Sequence, residues 1–225
     1  MLSFKDRATL AVQLAKQTEA ALAARIKAQG SAMLAVSGGS TPGAFFQALS
    51  FAALDWSRVS ITLVDERWVP ESSPRSNAAL VRRTLLVNKA AAARFIPLYN
   101  GASTPESGLA TLQELFEHEP LPFAAVILGM GEDGHTASFF PGGDHLDTAL
   151  APPPGRLLES MNAPGAGEPR ITFTLPALMQ ADFVALHIEG EHKRVVLAAA
   201  QQPGANKDLP VRAVLRHDPV IFWCP

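Results

Sequence analysis

The chain has 225 residues, of which 48% are apolar and 18% are charged, a composition typical of a folded globular protein and unlike that of a disordered one. Its 19 basic and 21 acidic residues give a net charge of −2, which argues against a dedicated nucleic-acid binder because such proteins carry a basic excess. The single cysteine, Cys224, excludes an internal disulfide and a thiolate metal site, and it predicts a reduced, cytoplasmic protein.

The N-terminal segment carries Lys5, Asp6 and Arg7 where a signal peptide needs an apolar run. No stretch reaches the ~18 uncharged apolar residues needed to cross a bilayer, so no membrane partner is expected. The length favours a single domain over residues 1–225. Loops within that domain are expected where Pro and Gly cluster at 70–74 and 164–169. The cluster at 152–155 could be a linker, but it is too short and too close to further core-like segments to indicate a domain boundary.

Helical segments and short apolar runs alternate along the chain. Good helix formers and apolar spacing predict helices over 3–29, 42–50, 76–87, 105–118 and 191–200. Short apolar or alternating runs predict strands at 33–36, 61–64, 94–97, 124–128, 171–174, 183–188 and 220–223. Such runs, separated by helices, predict an α/β, Rossmann-like fold with a mostly parallel sheet and helices on both faces. Because these sheets bind ligands outside the carboxyl ends of their strands, functional residues are expected directly after the apolar runs.

The first polar cluster follows the 33–36 run and reads Ser37, Gly38, Gly39, Ser40, Thr41, Pro42. Glycines let the backbone approach a ligand closely, and free N–H groups at a helix N-terminus favour phosphate. The hydroxyls of this cluster add further donors. A plain strand-to-helix turn with an N-cap has a similar composition, so the loop by itself leaves both interpretations open.

The second cluster, Asp65, Glu66 and Arg67, follows the 61–64 run. Three adjacent charges at the end of a buried strand are costly unless water or a ligand solvates them. One interpretation is a solvated rim with a local ion pair. The other, which we favour, is that the Asp65 carboxylate and the Arg67 guanidinium face a polar ligand.

The third cluster, Gly129–Thr136, follows the 124–128 run and is the most informative of the three. A carboxylate at Asp133 can orient the imidazole of His135 and leave one ring nitrogen free as a base. A lone loop histidine more often serves as a cap. The flanking glycines and the position after a buried strand favour a functional pair.

The other five histidines are far apart in sequence and predict no metal site: His118, His145, His187, His192 and His217. Of these, His187 lies inside an apolar run and is interpreted as a buried, hydrogen-bonded residue. Arg170 opens the 171–174 strand and Lys193 opens the 191–200 helix. Solvated side chains are the default for such residues, but both could neutralise a phosphate.

Taken together, these motifs resemble the 6-phosphogluconolactonase family. The segments that carry the resemblance run in family order over most of the chain: Ser37–Pro42, Asp65–Arg67, Ser76–Asn77, Gly129–Gly142, Arg170–Thr174 and Gly190–Arg194. The Gly129–Gly142 motif is quite specific, whereas the first motif alone is not.

The resemblance implies the sugar-phosphate isomerase/deaminase type of fold and hydrolysis of 6-phospho-D-glucono-1,5-lactone to 6-phospho-D-gluconate, without metal or organic cofactor. It implies that His135 is the general base, with Asp133 as its neighbour. Phosphate would be held by Arg170, Lys193 and the 37–41 loop. Arg67 would contact the substrate, at either the oxyanion or the phosphate. The implied partner is a small sugar phosphate, bound by a monomer or small homo-oligomer.

Two alternatives remain. Glucosamine-6-phosphate deaminases resemble the chain in the same loops, but they carry an aromatic residue where Arg67 stands and an acidic residue where Phe140 stands. Since Phe140 cannot transfer a proton, deamination is disfavoured. A non-catalytic sugar-phosphate sensor of the same fold would usually carry a DNA-binding segment. Only one helix precedes the first motif here, and no basic helix-turn-helix is present.

Overall fold

The computed structural model describes residues 1–225 as an α/β fold with two sheets. Ten strands, β1–β10 in chain order, span Leu2–Ser3, Ala32–Val36, Val59–Leu63, Asp65–Arg67, Arg94–Phe95, Ala125–Leu128, Leu158–Met161, Arg170–Phe173, Phe183–Glu189 and Val220–Cys224. Eight α-helices, α1–α8, span Arg7–Gln29, Gly43–Ser50, Asn77–Thr84, Pro105–Glu117, Leu146–Leu150, Leu175–Met179, Glu191–Ala200 and Val211–Leu215.

Seven strands form one sheet in the order β1-β10-β9-β6-β2-β3-β5, and all neighbours in it are parallel. Every residue of β2 and of β6 is buried, as expected when both faces of a parallel sheet are covered. The predicted parallel α/β sheet is therefore confirmed. The chain runs from β2 to β3 and β5 on one side, and then places β6 on the other side of β2. This reversal opens a crevice at the carboxyl ends of β2 and β6.

A second sheet of three strands, in the order β4-β8-β7, is antiparallel. The charged segment Asp65–Arg67 is itself strand β4, an element that the sequence did not predict. It is extended because it pairs with β8, and this register puts Arg67 opposite Arg170. The strand predicted at 171–174 starts at Arg170 and belongs to this sheet rather than to the parallel one.

The N-terminal helix begins later than predicted. Leu2–Ser3 pair with β10 as an edge strand, so the expectation of helix from residue 3 is wrong. Helix α1 starts at Arg7 because the Asp6 carboxylate accepts the Thr9 N–H at 2.8 Å and caps the first turn. It ends as predicted at Gly30, whose φ of 84° is the left-handed conformation that glycine adopts readily.

The interior is one connected cluster of 60 buried apolar residues. Helix α1 lies against β2, β6, β9 and β10, while the T-shaped contacts of Phe173 with Phe116 and Phe123 join β8 to α4 and to the start of β6. Two elements are shorter than predicted, since α3 covers only Asn77–Thr84 and β5 only Arg94–Phe95. None of the helices has the length and apolar character that a membrane span requires.

Candidate active site

A cleft of about 240 Å³ is lined by the segments that follow β2, β6 and β9 in the parallel sheet. It therefore lies where open α/β sheets bind ligands. The structure brings these predicted site residues together along it: Ser37, Gly38, Gly39, Ser40, Thr41, Asp65, Arg67, His135, Arg170 and Lys193. Asp133 does not line the cleft but contacts His135. Asn77 and His187, which were not predicted as site residues, do line it.

His135 and Asp133 form a close pair in the loop after β6. His135 Nδ1 lies 2.5 Å from Asp133 Oδ1, and the His135 backbone N–H donates to the same oxygen at 3.1 Å. Since Nδ1 is engaged, the remaining ring nitrogen, Nε2, is available as a base. Burial works against ionisation of Asp133, but its hydrogen bonds with His135 outweigh burial and lower the pKa of this carboxyl. An ionised carboxylate thus orients the imidazole.

The turn that holds this pair depends on Gly131. Its N–H donates to the His135 carbonyl at 2.9 Å, which closes the loop. A Cβ atom at Gly131 would lie 2.2 Å from both Nδ1 and Cε1 of His135, and 2.7 Å from Asp133 Oδ1. The imidazole therefore occupies space that only glycine leaves open.

Phe140 packs between the proposed base and one of the cations. Its ring stacks on the His135 imidazole with centroids 4.3 Å apart and an interplanar angle of 29°. The Arg170 guanidinium carbon lies over the same ring, 5.3 Å from its centroid. Phe140 itself is buried, so one aromatic side chain fixes the position of His135 relative to Arg170.

Arg67 and Arg170 face each other across the β4–β8 pair, and each has a buried Nε with no partner in the chain. Asp65 lies 3.6 Å from Arg170 Nη1 and also accepts the Ser138 hydroxyl at 2.5 Å. Burial and the nearby Arg67 charge lower the pKa of Arg170, while Asp65 opposes this. Two adjacent guanidinium groups with unfilled donors form a site for an anionic ligand.

Glu66 is a buried residue whose role the sequence did not indicate. Its carboxylate accepts the backbone N–H groups of Arg67, Asn77 and Ala78 and the hydroxyl of Ser76, which ties β4 to the N-terminus of α3. Burial raises the pKa of Glu66, against the effect of the backbone donors. The same link places Asn77 under the first loop, where a Cβ atom at Gly38 would lie 1.9 Å from Asn77 Oδ1. Three adjacent charges were the only signal of this arrangement.

We expect Glu66→Gln to lower the free energy of unfolding by about 2–4 kcal/mol, because the amide NH₂ would face two donors that then lose their acceptor. Urea unfolding curves measure this change. The matched control is Glu71→Gln, which removes an exposed carboxylate paired with Arg82 and should change stability by less than about 1 kcal/mol. Equal unfolding free energies for Glu66→Gln and the wild type would contradict the assignment.

The loop after β2 has unfilled donors. The backbone N–H groups of Gly38, Gly39, Ser40 and Thr41 make no hydrogen bond within the chain. Lys193 Nζ reaches this loop from the first turn of α7 and lies 3.4 Å from Thr41 Oγ1. Burial lowers the pKa of Lys193, and the nearby carboxylates of Glu189 and Glu132 oppose it. Free N–H groups beside a partly desolvated cation suit a phosphate.

His187 is buried and hydrogen-bonded, with Nε2 3.1 Å from Glu189 Oε1, but it also lines the cleft beside Lys193. The sequence interpretation of His187 as a buried, hydrogen-bonded residue therefore agrees with its packing, but it did not predict that His187 lines the cleft. In residues 1–225, no group of three or more His, Cys, Asp or Glu side chains is placed to hold a metal ion.

Comparison with known proteins identifies relatives along the whole chain. Residues 5–223 match the family model described as glucosamine-6-phosphate isomerases/6-phosphogluconolactonase. A 6-phosphogluconolactonase of Rhizobium meliloti (strain 1021) is 51% identical over 225 residues, covering 99% of this chain and 97% of the relative. The crystal structure of a 6-phosphogluconolactonase from Shewanella baltica OS155 superposes with a TM-score of 0.95 at 42% identity, covering 99% of this chain and 96% of the other.

The same fold recurs in a more distant solved structure. A monomeric glucosamine-6-phosphate deaminase of the NagB superfamily has a TM-score of 0.76 at 15% identity, covering 99% of this chain and 95% of the other. At that identity the likeness concerns the fold alone. It agrees with the seven-stranded parallel sheet and its small antiparallel companion.

Proposed function

The chain belongs to the glucosamine-6-phosphate isomerase/6-phosphogluconolactonase family, and from that premise we propose how its cleft performs catalysis. It is a lactone hydrolase that converts 6-phospho-D-glucono-1,5-lactone to 6-phospho-D-gluconate in the pentose phosphate pathway. We propose that His135 activates the attacking water. The observation that carries the proposal is the Asp133–His135 contact of 2.5 Å, which leaves one imidazole nitrogen available at a cleft lined by cations.

The reaction begins when the lone pair of His135 Nε2 removes a proton from a water molecule, while the oxygen of that water attacks C1 of the lactone. The carbonyl π electrons move to oxygen and form a tetrahedral intermediate. When this collapses, the bond from C1 to the ring oxygen breaks, and the ring oxygen takes the proton from the imidazolium. The products are the C5 hydroxyl and a carboxylic acid, which loses its proton to water. Asp133 stabilises the imidazolium during these steps.

The surrounding charges bind the substrate and the intermediate. We assign the phosphate to Lys193, Arg170 and the unfilled N–H groups of the 37–41 loop. Arg67 contacts the substrate, and its unpartnered Nε is a donor for either the developing oxyanion or a phosphate oxygen. Anchoring the phosphate fixes C1 relative to His135, which lowers the entropic cost of attack.

A proton-release assay on freshly prepared 6-phosphogluconolactone tests the activity, after subtraction of spontaneous hydrolysis. A parallel ammonia assay on glucosamine 6-phosphate tests the deaminase alternative. We expect proton release and no ammonia, because the ring of Phe140, which stacks on His135, stands where the deaminases carry an acidic residue and cannot transfer a proton. Ammonia release without lactone hydrolysis would overturn the proposal.

We expect Lys193→Met to raise KM for the phosphorylated lactone by about tenfold or more, since a hydrogen bond to a charged group contributes about 1.5–3 kcal/mol. The value of kcat should change little. Steady-state kinetics on 6-phosphogluconolactone and on unphosphorylated glucono-1,5-lactone measure the difference. If KM rose equally for both lactones, Lys193 would not be a phosphate ligand.

A further inference from the structure

The imidazole of His187 is a polar group at the phosphate end of the cleft that the proposed mechanism does not use. It projects from β9 and is 2% exposed, and its ring lies edge-on to Phe45 of α2 at a centroid distance of 6.4 Å. Helix α2 follows the 37–41 loop directly. His187 therefore lies behind the loop assigned to phosphate and lines the same cleft as Lys193.

Glu189 holds this imidazole in one orientation. Its Oε1 lies 3.1 Å from His187 Nε2, and its Oε2 lies 2.9 Å from Arg7 Nε. The Glu189 side chain is 8% exposed, so the contacts with Arg7 and His187 provide its main compensation for lost water. An ionised carboxylate only accepts, and Nε2 must therefore carry a proton. The other ring nitrogen, Nδ1, has no hydrogen-bond partner within the chain.

With Nε2 protonated, Nδ1 can donate to an anion only if the ring is an imidazolium. The charged or titratable groups near it are Glu189 on its own strand, Arg7 of α1, Lys193 of α7 and the Cys224 thiol of β10, which lies in the field of Glu189. Arg7 and Glu189 cancel in charge. A His187 imidazolium would then add a donor and a positive charge to those of Lys193 and Arg170 along the same cleft, which suits the two negative charges of a phosphate dianion.

We propose that His187 is a phosphate-binding residue, which takes up a proton when the phosphate of the substrate binds and is held in place by Glu189. This rests on the proposed function and adds to it a specificity determinant for phosphorylated over unphosphorylated lactones. Proton uptake makes the interaction stronger at lower pH, as long as the phosphate remains a dianion. The KM for the phosphorylated lactone should therefore rise with pH as the imidazolium loses its proton.

The test compares His187→Leu, which removes both ring nitrogens, with His187→Asn, which keeps a polar group near the position of Nδ1. His187→Leu should raise KM for 6-phosphogluconolactone by about tenfold or more and abolish the rise of KM with pH. His187→Asn should recover much of the affinity without the pH dependence. The control is His118→Leu, the same substitution at an exposed residue at the end of α4, which should leave KM and its pH dependence unchanged.

Calorimetry with inorganic phosphate tests the site without turnover. Titrations in buffers of different ionisation enthalpy should show that the wild type takes up more protons than His187→Leu. The inference would be overturned if the wild type and His187→Leu took up the same number of protons, or if KM were unchanged in His187→Leu. It would also be overturned if His187→Leu lost as much activity on glucono-1,5-lactone as on 6-phosphogluconolactone. An inactive wild type that still shows the His187-dependent uptake would overturn the proposed function alone.

Discussion

Replacement of His135 by alanine is expected to lower kcat for 6-phosphogluconolactone by about 10²–10⁴-fold, the usual contribution of a positioned general base. Binding of 6-phosphogluconate should persist, because the proposed phosphate ligands lie on the 37–41 loop, β8 and α7 rather than on the loop after β6. The rate of proton release, corrected for spontaneous hydrolysis, measures the first quantity. Calorimetric titration with the product measures the second.

Asp133→Asn separates the two members of the pair. Because the hydrogen bonds with His135 lower the pKa of Asp133, the carboxyl is ionised throughout the neutral range and can stabilise the imidazolium. The amide keeps the size of the side chain but removes its charge, so we expect a smaller loss of kcat than in His135→Ala. Near-wild-type activity in the His135→Ala variant would show that another group activates the water.

The parallel sheet was predictable because its central strands are continuous apolar runs of five and four residues, and burial on both faces demands that pattern. Other strands lack such a signal. Strand β4 consists of three charged residues and is extended only because β8 pairs with it. In β7, Glu159 and Ser160 are buried through hydrogen bonds to Arg156 and His145, a tertiary compensation that no local pattern reveals.

The site was predictable to the extent that it follows the carboxyl ends of strands. The 37–41 loop and the Asp133–His135 pair come directly after β2 and β6, and the cleft lies between them. The sequence did not predict the contact of Phe140 with His135, because this stacking depends on how the loop after β6 folds back. His187 was assigned to the core because its neighbours on β9 are apolar, and period-2 alternation does not tell which face borders the cleft.

Gly131→Ala is expected to abolish most lactone hydrolysis while leaving the fold intact. The new methyl group would lie 2.2 Å from the His135 ring, a separation that requires the imidazole to move away from Asp133. A displacement of about 1 Å in a reacting group can cost about a hundredfold in rate. The φ of Gly131 is not positive, so alanine brings no backbone strain of the kind expected at Gly134. Activity should fall while the thermal unfolding midpoint stays close to that of the wild type.

Gly165, which lies close to the Asp133 carboxylate, provides the matched control. A Cβ atom at Gly165 would meet Asp133 Oδ2 at 3.6 Å, an ordinary van der Waals contact, so Gly165→Ala adds the same methyl group without displacing the imidazole. Its kcat should stay within about twofold of the wild type. NMR spectra of the histidine rings would then show a shifted His135 resonance in Gly131→Ala alone. If Gly131→Ala retained full activity, the contact of 2.5 Å between His135 and Asp133 would not be required for catalysis.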